Sequence, residues 1–309
     1  MPRMPRNIQT DSEGRYHLRG QAAGRKHSYP FQNRQNAAQL NALIRHFTGL
    51  FFCRVASLSI LGNHYHLVCV FEAFRKLSRQ QLWRIAERFY PDPKYQPYLR
   101  WNDADWERFN RRLFNVSELM RNLQSAYARW FNRRHQRKGR FWADRFQSTE
   151  SDNLQETVFY VDLNAVRAHL VRRPEQWRYS SAWMRRHGHD DWLMPLPQLM
   201  GGFCTQAEAE RSYWTLLYWR GTRSKKDPDG TIPVDLAQRM EREGYPRGCY
   251  LQSIPAFSRG RVVGTFETLR QSLDQCRAAG LYSRRKNPVP LGVGNLFALR
   301  EQRRNFVPI

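Results

Sequence analysis

Two apolar runs, "GLFFCRVASLSI" and "HYHLVCVF", are separated only by Leu61 and the pair Gly62-Asn63. Runs of this kind on either side of a Gly-Asn turn predict two long strands joined as a hairpin. The second run carries His64 and His66 on alternate positions, with Tyr65 between them. In a strand, residues two apart point to one face, roughly 6.6 Å apart along the chain. The two imidazoles therefore project together, and Tyr65 projects into the opposite layer.

The flanking sequence places this hairpin in a larger pattern. "GRYHLRG" (14–20) predicts a first strand, and "NRQNAAQLNALIRHF" puts Ala37, Leu40, Ile44 and Phe47 on one helical face. Strand, helix, strand, hairpin, strand is the opening of an α+β, ferredoxin-like split βαβ fold with an antiparallel sheet. Residues 72–113 are charged and aromatic, and predict an insertion with short helices. Asn115 and Glu118 fit a helix start, followed by an apolar stripe of Leu119, Met120, Leu123, Tyr127, Trp130 and Phe131. A basic loop, "RRHQRKGRFWADRF", comes next. Asp152 with Gln155 predicts the cap of a further helix bearing Leu154, Val158, Val161 and Leu170, running to about Val171 and stopped by Pro174.

At 309 residues the chain exceeds the size of most single cores, which predicts two domains: 1–184, with its insertion, and an accessory, mainly helical region over 185–309. In that second region "MPLPQLMGG" and "SKKDPDGTIP" predict loops, and "PVDLAQRMEREG" a short helix. "GVGNLF" is a plain loop, since it lacks the strand-before, helix-after setting of a nucleotide fingerprint. The five cysteines form no C-x-x-C and are odd in number, which disfavours a zinc ribbon or a disulfide framework. The N-terminus lacks the apolar core of a secretory signal, and no apolar run is long enough to span a membrane. The expectation is a cytoplasmic protein with no membrane partner.

Lys and Arg number 51 against 27 Asp and Glu, a net charge of +24. Nucleic acid is the default counterpart for such an excess. Most of the cations are arginine, which suits bidentate phosphate contacts.

H-x-H alone also describes two hydrogen-bonded core histidines. As ligands, His64 and His66 would need a third donor. Tyr160 and Asn164 are four apart, on one face of the predicted helix. Taken alone, that pair is better read as a packing tyrosine and an exposed asparagine. Taken with the histidines and the charge, it suggests Asn164 as an amide ligand and Tyr160 as a nucleophile. Two nitrogens and an amide oxygen suit Mg²⁺ or Mn²⁺, with the imidazoles favouring Mn²⁺. A phenol with an ordinary pKa near ~10 is a weak nucleophile at neutral pH, and a metal on the phosphate offsets this. Attack by tyrosine conserves bond energy, so rejoining needs no nucleotide, in keeping with the absence of a phosphate-binding loop motif.

"GNHYHLV" resembles the histidine–hydrophobe–histidine motif of HUH endonucleases, in the form found in single-tyrosine transposases. "GRFWADRFQS" and "YVDLNAVRAHLVRRPEQWRYSSA" resemble hallmark segments of the REP-associated tyrosine transposases, and "FSRGRVVGTFE" and "LFALREQR" resemble longer members of that group. The resemblance implies Tyr160 as nucleophile and His64, His66 and Asn164 as metal ligands. It also implies a single-stranded DNA substrate with a REP-like hairpin, cleaved through a 5′-phosphotyrosine, by a monomer or homodimer in a prokaryotic nucleoid. Gly62, Ala165 and His169 depart from the family pattern without removing a catalytic group.

Arg133, Arg134, Arg137, Lys138, Arg140 and Arg145 are candidate DNA contacts, interleaved with Phe141, Trp142 and Phe146, which fit either stacking platforms or a buried anchor. Arg167 is a candidate for the scissile phosphate or a helix-surface charge. His17 is better read as ordinary sheet packing than as a metal neighbour. Arg3 and Arg6 fit a solvated tail better than a minor-groove arm. Two competing readings are a catalytically silent hairpin-binding protein, and a relaxase or replication initiator. The lack of a third clustered histidine and of a helicase motif counts against the second.

Overall fold

The computed structural model describes residues 11–24, 28–201, 205–223, 226–227, 230–231, 233–278 and 287–300. Arg3, Arg6 and Cys204 lie outside them. Strands β1 (Gly14–Gln21), β2 (Cys53–Ile60), β3 (His64–Phe71) and β4 (Gln147–Ser151) form the first half of a sheet. Their order, β2-β3-β1-β4, is all antiparallel and is the split βαβ order.

The helices before and between these strands follow their apolar periodicity. Helix α1 (Arg34–Thr48), capped by Asn33, buries Ala37, Leu40 and Ile44. Helices α2 (Arg79–Phe89) and α3 (Asp103–Leu113) make up the 72–113 insertion and enclose a small aromatic core of their own around Trp106 and Phe109. Asn115 caps α4 (Val116–Arg134), whose stripe from Leu119 to Phe131 packs with α1 on one face of the sheet. Tyr16, Leu18, Tyr65, Leu67 and Phe71 supply that face.

The opposite face is covered by α5 (Leu154–Asp162), with α7 (Ser181–Arg186) against β2, and α6 (Asn164–Arg167), α8 (Leu196–Met200) and α9 (Gln206–Gly221) pack on α5. A two-stranded ribbon, β5 (Lys226–Asp227) with β6 (Gly230–Thr231), leads to α10 (Val234–Arg242) and α11 (Pro255–Arg259). Then β7 (Gly260–Gly264), α12 (Phe266–Ala278), β8 (Val289–Pro290) and β9 (Phe297–Arg300) complete the chain's described elements.

Several expectations need correction here. The sheet is mixed, not purely antiparallel: β7 joins β4 in parallel, and the full order is β2-β3-β1-β4-β7-β9-β8. The region after 184 is therefore not simply a helical extension. It adds three strands to the sheet, and its Tyr213, Trp219, Tyr250 and Phe257 share one core with Val68, Val70 and Tyr160. Neither sheet nor core breaks at 184/185. "MPLPQLMGG" includes α8, because Pro197 sits in its first turn, where a missing N–H costs nothing. "GVGNLF" is a loop as expected, with Gly292 and Gly294 at φ +70° and +53°.

Asn153, not Asp152, caps α5; its side chain accepts from the Glu156 N–H at 3.1 Å. Asp152 instead accepts from the Thr268 hydroxyl at 2.9 Å, tying α5 to the start of α12. The helix does not run to Val171. It breaks at Leu163, resumes as α6 and ends by His169, whose φ of +56° no helix continues through. Leu170 is accordingly exposed.

Candidate active site

Register sets the site. Antiparallel pairing places Arg19 opposite His66, Gln21 opposite His64 and His17 opposite Val68. Paired residues share a face, so His17, Arg19, His64 and His66 all point away from α1 and α4. On β2 the pairing slips by one residue between Val55 and Ser57, which turns Ser57 and Ser59 to the same side. That side is roofed by α5, which brings Tyr160 beside His17, at the end of the row away from His64.

The rings form a row. His64 and His66 have centroids 5.1 Å apart, His66 and His17 are 5.0 Å apart, and His17 and Tyr160 are 6.5 Å apart. His66 Nδ1 lies 2.8 Å from His17 Nε2, and His17 Nδ1 lies 2.6 Å from the Phe257 carbonyl oxygen. His64 Nδ1 lies 2.8 Å from Asn63 Oδ1. Burial holds all three imidazoles neutral: His17 falls to about 4 and His64 to about 3, with Arg19 adding to the effect, and His66 falls well below the usual range. A neutral imidazole is the form that ligates a metal.

Tyr160 is only 2% exposed. Phe257 stacks on one side, Tyr250 meets the ring edge-on, and the Arg167 guanidinium carbon sits 3.9 Å from the ring centre. Arg167 also donates to the carbonyls of Tyr160, at 2.9 Å, and Tyr250, at 3.0 Å, and to Oδ1 of Asn164. This differs from a helix-surface charge held out for DNA: the guanidinium is an internal strut. It also occupies the oxygen through which Asn164 would bind a metal, while Asn164 Nδ2 is buried without a partner. Asn164 in this arrangement therefore offers no free oxygen to a divalent ion, which leaves the two imidazoles as the candidate ligands. Among the described residues, no group of three or more His, Cys, Asp or Glu is disposed to hold a metal.

Comparisons with known proteins add one observation. No family model and no curated protein matches the chain. Among solved structures, the chain is similar to a REP-associated tyrosine transposase bound to a REP hairpin. That likeness has a TM-score of 0.41 and 12% identity, and covers 63% of this chain and 89% of that one. At this identity and TM-score it assigns no residue a role.

The six cations of the basic segment, Arg133, Arg134, Arg137, Lys138, Arg140 and Arg145, are all exposed. Phe141, Trp142 and Phe146 are buried, so they anchor the segment and do not serve as stacking platforms. The segment ends at a recess of about 250 Å³ lined by Arg19, Gln21, Ala143, Asp144, Arg145 and Gln147. That recess adjoins the histidine face through Arg19 and Gln21, the strand partners of His66 and His64.

Three features escaped the sequence. His17 joins the histidine cluster as a third ring, although both its nitrogens are engaged within the protein. Asp162, fully buried, accepts from Ser57 at 2.7 Å, Tyr213 at 2.6 Å and Ser181, and burial raises its pKa despite those bonds. Glu156 pairs with Arg220 and accepts from the Tyr250 hydroxyl at 2.7 Å, fixing the 220–250 region onto α5. The only signal for the two acids was their place on either side of the apolar run Val158–Val161. No helix is long and apolar enough to cross a membrane among the described residues.

Proposed function

We propose that the chain is a metal-dependent nicking and joining enzyme for single-stranded DNA bearing a REP-like hairpin. In this reading Tyr160 is the nucleophile, and His64 and His66 are the imidazole ligands to Mg²⁺ or Mn²⁺. The row of rings from Tyr160 through His17 and His66 to His64 carries the reading. The exposed cations leading to the Arg19–Arg145 recess, the net charge of +24, and the resemblance of the two sequence segments support it.

A bound divalent ion would supply charge neutralisation at the scissile phosphate. The remaining work falls to the chain. The basic segment tracks the backbone phosphates and brings the strand to the recess. Phe257 and Arg167 must move off Tyr160 before attack. The Tyr160 oxygen then bonds to phosphorus and loses its proton to solvent. The bond from phosphorus to the 3′ oxygen breaks, that oxygen takes up a proton, and the 5′ phosphate remains on Tyr160. Attack on this linkage by another 3′-hydroxyl reverses the step and rejoins DNA without a nucleotide. Asn164 enters the ligand set only when Arg167 releases its oxygen.

A silent hairpin-binding protein is favoured by two observations: the burial of Tyr160 and the engagement of Asn164 by Arg167. Incubation with end-labelled hairpin DNA and Mn²⁺ separates the readings. A denaturation-resistant adduct in the native protein, absent from Tyr160→Phe, is the expected result. Binding without any adduct means a silent binder, and neither binding nor adduct removes the nucleic-acid reading.

A further inference from the structure

The hydrogen bonds around His17 determine which nitrogen of His66 is available. His17 Nδ1 faces the Phe257 carbonyl oxygen at 2.6 Å. A carbonyl oxygen only accepts, so this nitrogen carries the proton. In the uncharged ring, Nε2 then holds a lone pair and accepts from His66 Nδ1, 2.8 Å away. Uncharged His66 therefore keeps its own lone pair on Nε2. His64 is set the same way by Asn63 Oδ1, 2.8 Å from its Nδ1.

We propose that His17 is a positioning residue that, braced by the Phe257 carbonyl, locks His66 in the Nδ1–H tautomer and presents Nε2 as the ligating nitrogen. The proposal rests on the reading of His64 and His66 as a metal pair. A ligating histidine usually donates its second N–H to a carbonyl or carboxylate, which fixes ring and tautomer. Here an imidazole from a neighbouring strand is interposed between ligand and carbonyl. His17 and His66 are both almost fully buried, so no water competes for the shared proton. The arrangement also explains a histidine in a strand position that an apolar residue would fill more cheaply. A buried ring with both nitrogens engaged in a defined direction is costly unless each bond is made.

The test uses the full chain and reads the tautomer directly. Imidazole ¹⁵N spectra of the metal-free protein should show His66 protonated on Nδ1 and bare on Nε2. His17→Phe should shift His66 towards Nε2 protonation and weaken Mn²⁺ binding, followed by calorimetry, by about 10- to 100-fold. His17→Gln, whose amide oxygen can accept the same proton, should restore the tautomer and most of the affinity. Nε2 protonation of His66 in the native protein overturns the proposal. So does a His17→Phe variant with unchanged tautomer and Mn²⁺ affinity. If the tautomer responds as stated but the native protein binds no Mn²⁺, His17 keeps its positioning role and the metal reading fails.

Discussion

The ring of Phe257 lies flat on the ring of Tyr160, with centroids 4.4 Å apart and planes inclined by 14°. The same residue's carbonyl holds His17. One residue thus covers the phenol with its side chain and braces the histidine row with its backbone. Movement of this side chain and of Arg167, which sits over the same ring, would uncover Tyr160 while the Phe257 carbonyl stays in place. Phe257→Ala should raise adduct formation per folded molecule. Loss of a buried phenyl ring should also lower stability by about 3–5 kcal/mol. Initial adduct rates, normalised to the folded fraction from a urea titration, check both effects. An unchanged or slower rate contradicts the covering role.

Asp162, the last residue of α5, is a buried polar hub. Its carboxylate accepts from Ser57, Ser181 and Tyr213, all buried. Asp162→Ala strands the Ser57 and Tyr213 hydroxyls, each costing about 1–3 kcal/mol before relaxation, while Ser181 keeps the Leu58 carbonyl at 3.2 Å. Denaturant unfolding should show a destabilisation of at least about 2 kcal/mol. A change below about 1 kcal/mol means the hydroxyls find other partners.

What the sequence made legible was periodic. The strands of the His64–His66 hairpin, the apolar faces of α1 and α4, and the Asn115 cap all appear where pattern and capping chemistry put them. The roof of the site was not legible in the same way. Nothing local in "PAFSRGRVVG" says that its strand will pair with β4 in parallel or that Phe257 will reach Tyr160. Long-range pairing depends on tertiary packing, which leaves no periodic trace. The break at Leu163 was hidden because "YVDLNAVRAHL" contains neither Gly nor Pro to mark it. At the break the Arg167 side chain, distant in neither sequence nor space but invisible to periodicity, donates to the Tyr160 carbonyl. His17 looked like sheet packing because its partner, His66, is 49 residues away.

Acid should unfold the protein through its buried histidines. An unfolded chain protonates them below the ordinary value of 6.5, whereas folded His17 and His64 stay neutral down to about 4 and about 3. The unfolded state binds more protons in that window, so stability falls as pH drops from 6.5 towards 4. The slope is about 1.4 kcal/mol per pH unit for each histidine. Asp162, with its raised pKa, offsets part of this near the acid end. Urea midpoints measured from about pH 7 to about pH 4 check the sign. A midpoint that rises on acidification contradicts the neutral row.

The basic segment should govern affinity without governing stability. Arg133, Arg134, Arg137, Lys138, Arg140 and Arg145 are exposed, and their replacement by Gln leaves the Phe141–Trp142–Phe146 anchor intact. For single-stranded DNA, the slope of log affinity against log salt should fall by about 0.7 for each phosphate that is no longer neutralised. The melting temperature should change little, the loss being confined to the contacts of Arg134 with Trp130 and Gln35 and of Arg137 with Phe131. An unchanged salt slope would move the DNA path elsewhere on this +24 surface.

The central claim is that Tyr160 becomes covalently bound to DNA. The most direct measurement is mass spectrometry of the peptides left after nuclease and trypsin treatment of a Mn²⁺ reaction with hairpin DNA. The expected product is a nucleotide-bearing peptide modified at Tyr160, absent from Tyr160→Phe and from the double variant His64→Ala/His66→Ala. A nucleotide on any other residue, or an adduct that survives Tyr160→Phe, would contradict it.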